Sequence, residues 1–269
     1  MDWLEIRRGE APLIVSFPHT GTELPTAVAA RLISPWLARK DADWWIERLY
    51  DFAPGLGATT IRTSVSRTVI DVNRDPSGAS LYPGQATTGL CPVTTFDGEP
   101  LYRMAEPDEA EIARRRETYF EPYHAALAAE IGRLRAIYPK VVLYEAHSIR
   151  SAIPRLFEGE LPNFNIGTNS DASCDPALTA AVEAACDAGP FSRVTNGRFK
   201  GGWTTRHYGR PEGGVHAIQM ELACRGYMDE PEGLTTSLTW PTPYDEARAA
   251  PMRVALTDVL TACLDFAKC

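Results

Sequence analysis

Residues 12–21 read PLIVSFPHTG, a short apolar run that stops at a proline, a histidine and a glycine. Pro12 to Phe17 is expected to be a buried strand, and Pro18 and Gly21 mark the turn that ends it. Val141 to Tyr144 repeats the pattern and runs into Glu145-Ala146-His147-Ser148. Working outward, Ala58 to Arg62, Arg67 to Val72 and Ala217 to Glu221 also read as strands. Asp41 to Phe52, Glu106 to Tyr138, Cys174 to Ala188 and Asp245 to Ala267 read as helices, the second expected to break at Pro122. Residues 75–101 are rich in Gly, Pro and Thr and read as a long loop, which inside a compact domain is usually functional. Strands that alternate with helices point to an α/β sandwich with a mixed, mainly parallel sheet. In such sheets ligands bind at the carboxyl ends of the strands.

The 269 residues are within the range of one α/β domain, so residues 1–269 are expected to form a single unit. A formal net charge of -8 argues against a nucleic-acid partner, which needs clustered Lys and Arg. It leaves room for an acidic small molecule, since a pocket can be basic on an acidic protein. The six cysteines, Cys91, Cys174, Cys186, Cys224, Cys263 and Cys269, form no CxxC pair. They read as structural thiols rather than nucleophiles. The opening MDWLEIRRGE has no apolar signal core and no run is long enough to span a membrane. A cytoplasmic protein with reduced thiols is therefore expected. A homo-oligomer is compatible with the sequence.

Among five histidines, His19 and His147 each follow an apolar strand directly. Two imidazoles at neighbouring strand ends can converge on one metal ion, and a catalytic site needs a third protein ligand. Asp43, Glu23 and Asp41 are the candidates, with helix capping the competing role for the two aspartates. In SRTVIDVNR, residues 66–74, a strand would point Arg67, Asp71 and Asn73 one way and release Arg74 at its end. An arginine fork binds a carboxylate through two parallel hydrogen bonds, though an ion pair between Asp71 and an arginine would explain the same residues. Glu221 stands in an apolar strand, where a carboxylate is costly unless paired or functional. It is either a general base or the partner of Arg225. Lys200, Thr204, Thr205 and Arg206 lie in a glycine-containing segment and could bind a second carboxylate, or could form a solvated basic loop.

The stretches SFPHTG, DADWWIERLYDF, SRTVIDVNR, TTGLCP, TFDGEPLY, YEAHSIRS, NGRFKGGWTTRHYG and IQMELACRGYM, which together span most of the chain, resemble the N-formylglutamate deformylase (amidohydrolase) family. More distantly the chain is similar to zinc carboxypeptidases and aspartoacylase. The resemblance implies a phosphorylase/hydrolase-like, zinc-carboxypeptidase-like three-layer α/β fold. It implies one divalent metal ion, zinc being the expected one, held by His19, Asp43 and His147. Carboxypeptidases place their acidic ligand three residues after the first histidine, but position 22 here is Thr22. The Asp-x-Asp-Trp segment is the more characteristic feature of the resembling family, and the resemblance therefore implies Asp43 as the acidic ligand. The implied reaction is hydrolysis of N-formyl-L-glutamate to L-glutamate and formate, in histidine degradation. Glu221 would be the base and Arg67 would steady the oxyanion. Asn73 and Arg74 would hold one substrate carboxylate, and Arg206 or Lys200, with Thr204, the other. The rival readings are an amidohydrolase for another N-acyl acidic amino acid, a metallocarboxypeptidase, and a non-enzymatic binding protein.

Overall fold

The computed structural model describes residues 2–268. Among them, β1 (Leu4–Arg7), β2 (Leu13–Phe17), β3 (Thr59–Thr63), β4 (Val141–Ile149), β5 (Phe164–Gly167), β6 (Arg193–Thr195) and β7 (Val215–Ala223) form one sheet. Its order is β1-β3-β2-β4-β7-β5-β6. β3, β2, β4 and β7 run parallel, as do β5 and β6, whereas β1 on β3 and β5 on β7 are antiparallel. The sheet is mixed and mainly parallel.

Alternation along the central strands creates the layers. Leu13 and Val15 of β2, Val142 and Tyr144 of β4, and Ile218 and Met220 of β7 pack on one side. Their partners there include Leu178 and Val182 of the Pro176–Asp187 helix and Leu256 and Val259 of the Glu246–Lys268 helix. Ile14, Leu143 and Ala217 face the other way, onto Tyr123, Leu127 and Leu134 of the Glu121–Arg135 helix. A sheet buried on both faces yields near-continuous apolar runs, which is why these strands were legible. Among the described residues no helix is long and apolar enough to cross a membrane.

Several expected elements differ. The Glu106–Tyr138 helix does not break at Pro122. A π-helical segment, Arg116–Phe120, lies just before it and the helix then continues to Arg135. Proline cannot donate a main-chain hydrogen bond, and the wider turn accommodates that loss. Asp41 to Phe52 holds only a short helix, Ile46–Leu49, because Trp45 enters it with a left-handed φ of 63°. The Trp45 indole N–H donates to the Thr242 carbonyl at 2.9 Å, which holds that conformation. Arg67 to Val72 is not a strand. The Thr68 N–H donates to Ser66 Oγ at 3.2 Å and the Asn73 N–H to Asp71 Oδ1 at 2.9 Å. Such local side-chain bonds compete with a ladder and turn the chain.

Candidate active site

β2 ends at Phe17 and carries His19 two residues beyond its end. β4 is longer than its apolar run suggested. Its pairing with β7 continues to Ile149, so His147 sits on the strand itself. The coil before Trp45 delivers Asp43, whose N–H donates to the His19 carbonyl at 3.0 Å. Asp43 does not cap the helix, since Trp45 occupies that place without a side-chain bond. One ligand atom from each of His19, Asp43 and His147 lies within 4.8 Å of the others. Asp43 Oδ2 stands 3.1 Å from His147 Nδ1 and 3.7 Å from His19 Nδ1. All three residues are buried, and His19 Nδ1 and Asp43 Oδ1 have no hydrogen-bond partner. Orphaned polar atoms are rare in a protein interior. Two imidazoles and a carboxylate converging with unused lone pairs fit a divalent cation. The other acidic candidates point elsewhere. Asp41 Oδ2 accepts the Phe96 N–H at 2.6 Å, and Glu23 is exposed with Ser64 Oγ donating to it at 2.7 Å.

A second ring of groups orients the imidazoles. His19 Nε2 meets Asp71 Oδ1 at 2.7 Å, and Asp71 Oδ2 accepts from Arg67 at 2.7 Å. Burial favours the neutral acid, but His19, Arg67 and Arg74 outweigh it and hold Asp71 well below the usual carboxylate range. On His147, Nε2 lies 3.0 Å from Asn73 Nδ2 and 3.6 Å from Glu145 Oε2. Burial and Arg67 push His19 down to about 4, so it is a neutral imidazole at physiological pH. Burial opposes charging of His147 too, yet the bond to Asp43 and the proximity of Glu145 and Glu221 raise it to about 10. A proton there satisfies the same negative surroundings that a metal ion would.

β4 and β7 pair His147 with Glu221 and Glu145 with Gln219. The two-residue period puts all four on one face, opposite the Tyr144 and Met220 side. His19, His147, Glu221 and Gln219 line a single cavity together with Arg67, Arg74 and Arg198. Burial pushes Glu221 up to about 7, helped by Asp43 and opposed by His147, Arg67 and Arg74. The alternative pairing with Arg225 is absent. Arg225 contacts Glu160 at 3.2 Å and donates to Ser151 Oγ at 2.7 Å. Arg67 lies over the Phe96 ring at 4.8 Å and 3.6 Å from Asp43. Arg74 stands 3.6 Å from Asp71 and donates to Thr88 Oγ1 at 3.2 Å.

The residues expected to grip a second carboxylate do not line the cavity. Residues 203–208 form a helix rather than an open loop. Lys200 is exposed, and the buried Thr204 gives its N–H to Asn73 Oδ1 at 2.9 Å. Arg206 donates to the Gly201 carbonyl at 2.9 Å and lies over the Tyr82 ring. None of the three lines the cavity; Arg198 does. Asn73 reaches the cavity, but Thr204 and His147 engage both ends of its amide, so it positions His147 more than it offers itself to a ligand. The Gly202 backbone passes so close that a Cβ there would fall 2.3 Å from the Asn73 amide. Glu145, Gln219 and Arg198 also stand at this site and are not among the residues expected from the sequence. Glu145 and Gln219 share the odd-numbered phase of His147 and Glu221, a signal that was present. Arg198 had none to separate it from Lys200 and Arg206. The described cysteines, Cys91, Cys174, Cys186, Cys224 and Cys263, are free and buried, and Cys269 lies outside the described residues. Burial pushes the Cys91 thiol up to about 11, against a nucleophilic role.

Known proteins match this chain along most of its length. It is 52% identical over 229 residues to an N-formylglutamate deformylase of Pseudomonas aeruginosa, covering 84% of this chain and 86% of that one. It is 45% identical over 263 residues to an N-formylglutamate deformylase of Pseudomonas putida, covering 97% and 95%. The fold superposes on the crystal structure of an N-formylglutamate amidohydrolase from Ralstonia eutropha with a TM-score of 0.81. That match has 24% identity and covers 99% of this chain and 98% of the other. The N-formylglutamate amidohydrolase family model matches residues 11–228, which include His19, Asp43, Asp71, His147, Arg198 and Glu221. With that match and those identities, the chain belongs to the N-formylglutamate amidohydrolase family.

Proposed function

We propose that residues 1–269 act as one amidohydrolase domain that cleaves N-formyl-L-glutamate to L-glutamate and formate with the help of a divalent metal ion, and that it serves histidine degradation in the cytoplasm. The observation that carries this reading is the convergence of His19 Nδ1 and His147 Nδ1 on Asp43 Oδ2, with both histidines lining the same cavity as Glu221 and three arginines. His19, His147 and Asp43 would hold the ion, expected to be Zn²⁺. When bound, the ion supplies Lewis acidity, which lowers the pKa of water and polarises a carbonyl.

The remaining steps belong to the chain. Glu221, with its carboxyl pushed up to about 7, takes a proton from the attacking water and returns it to the leaving amine of glutamate. Arg67, fixed by Asp71 on one side and Phe96 on another, donates to the oxyanion as the formyl carbon becomes tetrahedral. Arg74 receives the α-carboxylate, with one edge held by Thr88. Asp71 accepts the His19 Nε2 proton and so leaves the Nδ1 lone pair available to an ion, while Asn73 packs against His147 Nε2 and fixes the position of that ring. The test is an assay of formate release from N-formyl-L-glutamate by purified protein, before and after chelation. Turnover that falls on chelation and returns with added Zn²⁺ supports the reading. Absence of turnover with any divalent ion refutes it.

A further inference from the structure

Three arginines line the cavity, and two of them stand beside a carboxylate of the protein. Arg67 bonds Asp71 at 2.7 Å, and Arg74 lies 3.6 Å from the same carboxylate. Arg198 differs. Among the described residues its partners are main-chain carbonyls, with Nε donating to Leu156 O at 2.9 Å and Nη2 to Ala86 O at 2.9 Å. Carbonyls fix the plane of the guanidinium but do not cancel its charge, and no acidic side chain among the described residues forms an ion pair with it. Its faces lie against Tyr82 and Phe199, each ring centre 5.3 Å away. A cation half-withdrawn from water, anchored by its backbone bonds, flanked by rings and lacking a counter-ion is arranged to receive an anion.

We propose that Arg198 is the receptor for the side-chain carboxylate of the substrate and sets the preference for an acidic over an amide side chain, a role that rests on the activity proposed above. The cavity then has two cationic ends with different duties. Arg74, backed by Asp71, meets the α-carboxylate that every N-formyl amino acid carries. Arg198 meets the carboxylate that distinguishes glutamate from glutamine. Ile149, Leu156, Phe96 and Phe199 line the same cavity and give the methylenes of the side chain apolar walls. Ala86 belongs to the 75–101 loop, so Arg198 also ties that loop to the rim of the cavity.

The test compares kcat/KM for N-formyl-L-glutamate and N-formyl-L-glutamine, which differ by one charge at nearly constant shape. Wild type is expected to prefer the acid strongly. In Arg198→Gln the ratio of the two values should fall by about 10- to 100-fold, the range for a lost charge-assisted hydrogen bond. Arg198→Lys keeps the charge and should keep a clear preference for the acid. Arg74→Gln should depress both substrates alike and leave the ratio within about threefold of wild type. A melting curve on each variant separates misfolding from selectivity, and the ratio is internally normalised for the fraction folded. If Arg198→Gln lowers both substrates equally, or Arg74→Gln alters the ratio instead, the assignment of Arg198 is overturned while the proposed activity stands. If wild type hydrolyses neither substrate, activity and assignment fall together.

Discussion

Glu221→Gln isolates the general base from the structural role its sequence position also allowed. The substitution preserves shape and removes the proton acceptor, so turnover should fall about 10²- to 10⁴-fold. Stability should move in the opposite direction. The Glu221 carboxyl is buried and binds its proton more tightly in the fold than in the unfolded chain, with its pKa raised from 4.5 to about 7. Folding is therefore favoured by this group below about pH 4.5, and that advantage is lost as the pH rises through about 7. A tenfold change in proton affinity is about 1.4 kcal/mol. The ionised side chain thus costs the metal-free protein on the order of 3 kcal/mol at pH 8. Glutamine carries no such cost. Chelator-treated Glu221→Gln should melt roughly 5 °C or more above chelator-treated wild type at pH 8, and the gap should close toward pH 4.5. Melting curves at both pH values, bound metal by elemental analysis and single-substrate kinetics constitute the assay. A variant that melts below wild type at pH 8 while keeping near-normal turnover per folded molecule would refute the general-base argument.

Asp43→Asn should leave the fold intact and sharply reduce bound Zn²⁺, since it removes the carboxylate that bridges both imidazoles; elemental analysis after dialysis checks this. Because His147 is held near 10 in the metal-free protein, metal uptake at pH 8 should release close to one proton per ion. Titration calorimetry in two buffers of different ionisation enthalpy measures it, and uptake without proton release would contradict the geometry. Asp71→Asn should weaken metal affinity about 10- to 100-fold through the loss of the carboxylate behind His19, as read by competition with a chromogenic chelator. Arg67→Ala should chiefly lower kcat, whereas Arg74→Ala should chiefly raise KM, and steady-state kinetics that show the reverse would exchange the two roles.

The sequence by itself determined the α/β class and the central strands, because a strand covered on both faces must be apolar throughout and therefore stands out. It also determined His19, His147 and Glu221 as candidates, since polar groups at the end of or inside such runs are costly without a purpose. Tertiary structure decided which acid joins the histidines. The residue pattern left Asp41, Asp43 and Glu23 open and only the family resemblance favoured Asp43; in the fold, the left-handed turn at Trp45 and the bond from the Asp43 N–H to the His19 carbonyl bring Asp43 to the histidines. It also decided the register that sets His147 beside Glu221 and Glu145 beside Gln219, since pairing between residues 74 apart has no local signature even where their shared phase does. The short strands β1, β5 and β6 were invisible for a related reason. Three or four residues carry no periodicity, and β5 and β6 become strands only because a neighbouring edge offers its hydrogen bonds. Arg198 is the sharpest case. In the chain it is one basic residue near Lys200 and Arg206, and only the fold turns it into the cavity while binding the other cations elsewhere or leaving them in water.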